Sequence, residues 1–397
     1  MAPRRRFARL WLLTLALSLA AVALFNAFID PWGLHGLVRI DGVNAVKIRP
    51  ERAIGELKLA RALRHRPDAL ILGNSRADIG MDPTHGSVVA LARRPFNLAE
   101  PGARLTAQVH QLEALLSAGH RPRLLLVGLE LFDLLNAEPL RRTDWRPRDD
   151  LWAQQRVTRL QSVITLSALG DSLLTLRAQH DPHAATLRDD GFNPLRDYEG
   201  MAAREGYAPL FRQRAAENAR RIGAHRWPSR LDATADFIAL RRLLELADQH
   251  DIRVECFTYP YHAHILGTLH RAGLMDEVAA WKQALADTVH AAAAQGANVR
   301  LWDFVAVTPE TTEAVPPPGD RHSVTHWYWE GGHFKAALGH RMLERMLGTG
   351  GTENFGRQLP PEAVATDTLA RDVEALLAAR ADLDADLDRA FATAGLD

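Results

Sequence analysis

The chain has 397 residues, 47% of them hydrophobic, enough for one large or two ordinary domains with a sizeable core. Its 48 basic and 48 acidic side chains cancel, so no basic excess marks a nucleic-acid footprint. The single cysteine, Cys256, excludes an intrachain disulfide, and the alternation around it predicts a buried core thiol.

Arg4, Arg5, Arg6 and Arg9 precede an uncharged apolar run at 10–29. A run of about twenty such residues crosses a bilayer as a helix. The basic flank holds the N-terminus in the cytoplasm and places everything after Asp30 outside it. This predicts a single-pass protein of the inner (cytoplasmic) membrane with a periplasmic domain. A signal peptide cut after Ala21-Val22-Ala23 is the rival reading. The anchor is preferred because the apolar run continues past Ala23.

Asp30-Pro31-Trp32-Gly33 reads as a turn. The spacing of Ile54, Leu57, Leu59 and Leu63 predicts a helix over 51–64, ended by Pro67-Asp68. Apolar runs predict strands at 69–73, 95–98 and 124–129, with a helix at 105–118. From about 136 to 230 the rhythm breaks, and the Arg-, Asp- and Ala-rich composition predicts a helical insertion or lid. Alternation resumes with a helix at 233–249, a strand at 252–258, a helix at 276–294 and a strand at 299–304. A Pro-rich loop at 308–325, a helix at 334–347 and an alternating-charge helix at 362–393 follow. The expected division is an anchor or signal at 1–30, an α/β domain at 31–350 carrying the insertion, and a helical appendage at 351–397.

Strand-helix alternation predicts a parallel sheet with helices on both faces. Ligands of such sheets sit beyond the carboxyl ends of the strands. Those ends carry Ser75, Gly102, Glu130 with Asp133, the run Tyr259-Pro260-Tyr261-His262, and Asp303. Glu330 and His333 follow the last of them.

Ser75 sits at a strand-to-helix turn, where its Oγ can project into the crevice and its N–H can face an oxyanion. Serine is also a favoured N-cap, so the position alone decides nothing. Glu330-Gly331-Gly332-His333 tips the balance: a serine needs a histidine base and an acid that orients it. Gly102 lets a backbone N–H approach substrate as a second oxyanion donor, or simply closes a Pro-Gly turn. Arg76 holds an anionic substrate group or pairs with Asp78. Asn97, Glu130, Tyr261 and His262 are expected to contact substrate. His262, His264, His322 and His326 raise a zinc reading, but no His-Glu-x-x-His or clustered cysteines accompany them, and no metal ligands are assigned.

These residues resemble the SGNH hydrolase superfamily. Gly73-Asn74-Ser75-Arg76 is similar to its first block, normally Gly-Asp-Ser. The stretch from Asn97 to Gly102 is similar to the second, and Glu330-Gly-Gly-His333 to the last, normally Asp-x-x-His. From 30 to 350 the chain resembles membrane-anchored relatives, the alginate O-acetyltransferase-like and D-alanyl-lipoteichoic acid transfer proteins. The resemblance implies a flavodoxin-like three-layer αβα sandwich. It implies a serine acyl-enzyme on Ser75, with His333 as base and Glu330 as orienting acid. The N–H groups of Ser75 and Gly102 would hold the oxyanion. It also implies an acyltransferase or esterase that acts on a cell-envelope glycan, without a cofactor, beside a membrane-bound acyltransferase partner. Three positions depart from the pattern: Asn74 for Asp, Glu330 for Asp, and Gly128-Leu129-Glu130 where the third block has Gly-x-Asn-Asp. The third oxyanion donor is then missing or comes from Asn74. An ionised Glu130 only accepts hydrogen bonds, so it should turn from the reacting centre toward other donors. The competing expectations are a non-catalytic envelope scaffold or glycan-binding protein, and a metal-dependent hydrolase.

Overall fold

The computed structural model describes residues 2–140, 144–184, 186–348 and 355–396. The first helix, α1 (Ala2–Ile29), contains a stretch, Arg4–Ile29, long and apolar enough to cross a membrane, and 11% of its most apolar window is buried. A 3₁₀ turn at Pro50–Ala53 leads into α2 (Ile54–His65). Strand β1 (Ala69–Leu72) is buried throughout. Helix α3 (Ser75–Gly80) starts immediately beyond it, capped by Asn74, whose Oδ1 accepts from Arg76 N at 3.0 Å. Next come α4 (Gly86–Val89), β2 (Pro95–Asn97), α5 (Leu105–Ser117) and β3 (Leu124–Leu129). Helices α6 (Leu151–Ile164), α7 (Leu166–Arg177), α8 (Arg196–Glu205) and α9 (Tyr207–Gly223) occupy the span expected as an insertion. Alternation then resumes with α10 (Ala235–Gln249), β4 (Arg253–Thr258), α11 (Ala263–Arg271), α12 (Met275–Ala294) and β5 (Val299–Asp303).

The C-terminal part departs from expectation in three places. His333 and Phe334 do not open a helix: β6 (Tyr328–Glu330) and β7 (His333–Phe334) form an antiparallel hairpin, and α13 starts later, at Ala336–Leu347. Strand β8 (Arg357–Gln358) adds to the sheet where no strand was expected. The tail is not one helix but α14 (Pro361–Val364), α15 (Leu369–Ala379) and α16 (Ala381–Ala394). Buried Val373, Leu383, Leu387 and Ala390 dock it.

The chain divides into two compact units. One comprises the residues up to Arg61 with Arg148–Asp189 and Asn193–Glu199. The other comprises Ala62–Pro147, Asp190–Phe192 and the chain from Gly200 onward. The span 136–230 is thus shared between them.

In the first unit, Trp32, Leu34, Ala53, Leu57, Ala168 and Leu187 form a small core. Trp32 Nε1 donates to Asp171 Oδ2 at 2.9 Å, which fixes α7 beside the turn that follows α1.

The second unit holds the main sheet, ordered β2-β1-β3-β4-β5-β8. Its first five strands are parallel and β8 is antiparallel. The chain is therefore mixed α/β with a mostly parallel central sheet. Strands β1 and β3 are apolar at nearly every position because a parallel sheet is covered on both faces. The strand order reverses between β1 and β3, the place where doubly wound sheets open a crevice at their carboxyl ends.

Close packing explains several glycines there. A Cβ on Gly73 would lie 2.4 Å from Tyr259 Oη, and one on Gly128 would lie 2.1 Å from it. Glycine at both strand ends thus admits the Tyr259 ring. A Cβ on Gly339 would meet the Gly80 carbonyl at 1.8 Å, so α13 packs backbone-close against α3.

Candidate active site

The site is assembled from two connections, a strand-to-helix turn and a hairpin turn. The first is the β1–α3 turn. Gly73 N donates to Gln108 Oε1 at 3.1 Å and Asn74 N donates to Tyr259 Oη at 3.3 Å. Ser75 is the first residue of α3, where a backbone N–H has no intrahelical partner. The second connection is the β6–β7 turn, where Glu330 and His333 face each other across Gly331-Gly332.

Ser75 Oγ lies 2.8 Å from His333 Nε2. His333 Nδ1 bonds to Glu330 Oε1. A carboxylate only accepts, so Nδ1 carries the hydrogen and Nε2 presents its lone pair to the serine hydroxyl. This is the hydrogen-bond order of an activated serine. Ser75 and His333 are both partly exposed, whereas Glu330 is 1% exposed.

Glu330 is held from three sides. Besides His333, the Gly332 N–H donates to Oε2, and Arg214 Nε forms an ion pair with Oε1 at 3.0 Å. Burial alone would raise its pKa. The charges of His333 and Arg214, with the hydrogen bonds from His333 and Gly332, bring it down to about 2 instead. Glu330 is therefore an anion at neutral pH. A Cβ on Gly332 would sit 3.1 Å from Glu330 Oε2 and 3.2 Å from Arg214 Cδ, so the turn has little room for a side chain.

Glu130, at the end of β3, is turned into a separate network. Its carboxylate accepts from Arg76 Nη1, from Asn74 Nδ2 at 2.7 Å, from Tyr261 Oη at 2.6 Å and from Phe132 N at 3.1 Å. Arg76 pairs with Glu130, not with Asp78. Its guanidinium lies 5.4 Å from the Phe132 and Tyr261 ring centroids and 5.7 Å from that of Tyr259. Burial opposes its charge, but Glu130 above all holds its pKa up. Asn74, expected as a spare oxyanion donor, uses one oxygen to cap α3 and points its amide at Glu130.

Three residues expected to contact substrate, Asn97, His262 and Tyr261, are built into the scaffold instead. Asn97 Nδ2 donates to Ala77 O at 2.8 Å and Met81 O at 2.9 Å, Oδ1 accepts from Ala99 N, and the side chain has no exposure. Asn97 ties β2 to α3. His262 caps α11 by accepting from His264 N at 3.2 Å, and its Nε2 bonds to Glu313 O at 3.0 Å. Burial, helped by His264, lowers its pKa to about 3, so it is neutral. Tyr261 is also enclosed, its hydroxyl bridging Glu130 and Leu131 N. Gly102 adopts φ +73 in open space, within a turn anchored by Glu100 N on Gly73 O at 3.1 Å. Its N–H lies in the loop strapped to the end of β1.

Two residues of the site escaped the sequence reading, Arg214 and Gln108, and Tyr259 was expected only as part of the run at a strand end. Arg214 stands on α9, in the span read as an insertion, and no motif singles it out. Gln108 lies on a helix whose apolar stripe hid it. Tyr259 had a signal, since glycines ended two neighbouring strands opposite an aromatic.

Below Gly73 and Asn74 lies a cavity of about 30 Å³, lined also by Gly128, Glu130, Asp133 and Asp236. That is room for about one water molecule, and neither Ser75 nor His333 lines it. Arg104 Nη2 donates to the Asp133 carbonyl at 2.5 Å and pairs with Asp236. Burial, with the nearby Glu130 and Asp236 charges, raises the Asp133 carboxyl to about 7.

No family model matches the chain, and no curated protein sequence matches it.

Proposed function

We propose that the chain is a membrane-anchored, extracytoplasmic serine enzyme of SGNH type that acts on acyl esters of a cell-envelope or exopolysaccharide glycan. The observation that carries this reading is the continuous bond order from Ser75 Oγ through His333 to Glu330. The strand order, with β1 between β2 and β3, is that of flavodoxin-like sheets and supports the same reading. The apolar α1 with its arginine flank supports an inner-membrane anchor.

In this mechanism Ser75 Oγ attacks the acyl carbonyl carbon while His333 Nε2 takes the hydroxyl proton. Glu330 stabilises the imidazolium. The N–H groups of Ser75 and Gly102 hold the oxyanion. The ester C–O bond breaks, His333 returns the proton to the leaving alkoxide, and the acyl group stays on Ser75. A sugar hydroxyl (transfer) or water (hydrolysis) then releases it, with His333 again as base. No cofactor enters. The acyl donor would come from a membrane-bound acyltransferase partner or from an acylated glycan.

One observation favours a second reading, a non-catalytic glycan-binding scaffold. The third-block amide is replaced by Glu130, and the Asn74 amide, the candidate substitute, is bonded to that carboxylate. Loss of one oxyanion donor costs about 10²–10³ in rate. A fluorophosphonate probe separates the two readings. Labelling of the wild type, lost in Ser75→Ala and His333→Ala, supports the enzyme. A folded wild type that does not label overturns it in favour of the scaffold.

A further inference from the structure

Helices α6 and α7 are inverted relative to a helix of a water-soluble core. On α6, Val157, Leu160 and Ile164 are 53%, 58% and 54% exposed, while Gln155 and Ser162 are buried. On α7, Leu166, Leu173 and Leu174 are 80%, 52% and 40% exposed, while Asp171, Ser172 and Thr175 are buried. The exposed positions recur at spacings of three, four and seven, so each helix presents one apolar stripe outward. Single exposed leucines are ordinary, but a contiguous stripe on two successive helices is not.

Asp171, Ser172 and Ser162 among these buried polar groups have partners in this unit, Asp171 through Trp32 Nε1. Ser172 Oγ donates to Asn26 Oδ1 at 2.9 Å, and Asn26 Nδ2 donates to Val163 O at 2.9 Å. Ser162 Oγ lies 3.0 Å from His35 Nε2. Asn26, itself fully buried, therefore clamps the α6–α7 corner to the last turn of α1. Asn26 is three residues before the end of the apolar helix, about 4.5 Å along its axis. The corner thus stands level with the end of the span. Leu37, Val38 and Ile40, also exposed, are fastened there too: Asn44 Nδ2 donates to Phe28 O at 2.8 Å and Val38 O at 3.1 Å.

We infer that the α6–α7 corner lies in the lipid interface beside α1, its leucine stripe sunk at the headgroup–acyl boundary. The argument is continuity: the stripe extends the lipid-facing surface of α1 and is bonded to it through Asn26. An amphipathic element of this kind seats its apolar face about 5–10 Å into the boundary. Trp152, 40% exposed at the start of α6, suits the same boundary. The consequence is that this unit is held at a fixed depth and tilt, not tethered by a single flexible stem.

This inference rests on the reading of α1 as a retained anchor, and the test separates the two. The full-length protein is placed in lipid nanodiscs with bimane on Leu166→Cys, or on Leu173→Cys should the first not fold. Cys256 is fully buried and stays unlabelled. Leu17→Cys reports the anchor and the exposed Gln295→Cys reports water. The expected result is loss of Leu166 bimane emission with doxyl-lipid, as at Leu17, and insensitivity to aqueous iodide, unlike Gln295. Lipid quenching at Leu17 with iodide quenching at Leu166 overturns the inference and leaves the anchor standing. Lipid quenching at neither position overturns both. Shielding of Leu166 from lipid and iodide alike means that protein covers the stripe, which also overturns the inference.

Discussion

Arg214 Nε lies 3.0 Å from Glu330 Oε1, the same oxygen that takes the His333 Nδ1–H. The acid that orients the histidine is thus shared with a cation from another element. Arg214 is itself paired with Glu217 at 2.7 Å, which fixes its reach. Two effects oppose each other. The ion pair positions Glu330, but it also draws off part of the negative charge that would stabilise an imidazolium.

Removing Arg214 should therefore leave more of that charge for His333. The lost positioning of Glu330 is expected to outweigh this gain, so Arg214→Gln should lower kcat/KM on the order of ten-fold, equal to about one pKa unit of interaction. The acid limb of the pH–rate profile should move to higher pH. Arg214→Lys keeps the charge and should hold the limb near the wild-type position. Stopped assays with an activated acyl ester across pH 5–9 read both quantities. A purely structural arginine would lower activity and leave the limb in place.

Glu330→Gln tests the acid itself. Losing the orienting carboxylate of a serine triad costs roughly 10⁴ in kcat. Stability gives an independent reading. The Glu330 pKa falls from 4.5 to about 2 on folding, so its stabilising contribution is present above 4.5 and is lost as pH falls through 2. The melting-temperature gap between wild type and Glu330→Gln should be widest near neutral pH and should close toward pH 2. A gap that stays constant with pH would mean that the carboxylate acts by shape alone.

The sheet could be read from the sequence because parallel strands are buried on both faces and leave apolar runs. The 124–129 strand and the 105–117 helix are close to expectation for that reason. Ser75 could be picked out by its place at a strand end, and Glu330 with His333 by their three-residue spacing. What could not be read depended on contacts between distant segments. The β6–β7 pair hid behind the helix-like spacing of 334–347, and β8 is two residues long. Arg214 has no local signature, since an ion pair with Glu330 leaves no trace near residue 214. Asn97 and His262 misled the reading because polar residues at strand ends serve equally as substrate contacts or as braces.

Asp133 offers a second pH-dependent term with the opposite sign. Its folded pKa, about 7, lies above the ordinary 3.8, so ionising it costs stability as pH rises from 3.8 through 7. Asp133→Asn removes that cost. The variant should melt higher than wild type at pH 8 and lose this advantage at pH 4. Thermal melts at the two pH values decide it. An equal shift at both would exclude the carboxyl charge as the cause.

Gly128→Ala probes the packing around Tyr259. The added Cβ would lie 2.1 Å from Tyr259 Oη and 2.5 Å from Cζ, so the ring or β3 must move. Overpacking of this kind costs about 1–3 kcal/mol. The melting temperature should fall, and Tyr259→Leu in the same chain should restore part of it. Failure of the second change to restore any would place the strain elsewhere.

Glu130→Gln tests whether the departure in the third block is part of the scaffold or of the chemistry. Glu130 faces four donors, and Arg76 is its ion-pair partner, with side-chain exposures of 11% for Arg76 and 5% for Glu130. A glutamine brings an amide into this shell, and whichever way it turns, an N–H meets a donor. Arg76 also loses its counter-charge. Breaking a buried ion pair from one side costs about 3–5 kcal/mol, because the remaining charge stays unpaired. The expected result is a large fall in melting temperature, with the folded fraction acylating at a rate within a few-fold of wild type. Glu130→Gln with Arg76→Leu should melt above the single variant, since the stranded cation is gone. The opposite pattern, an unchanged melting temperature with activity lost as fully as in Ser75→Ala, would move Glu130 from the scaffold to the reacting centre.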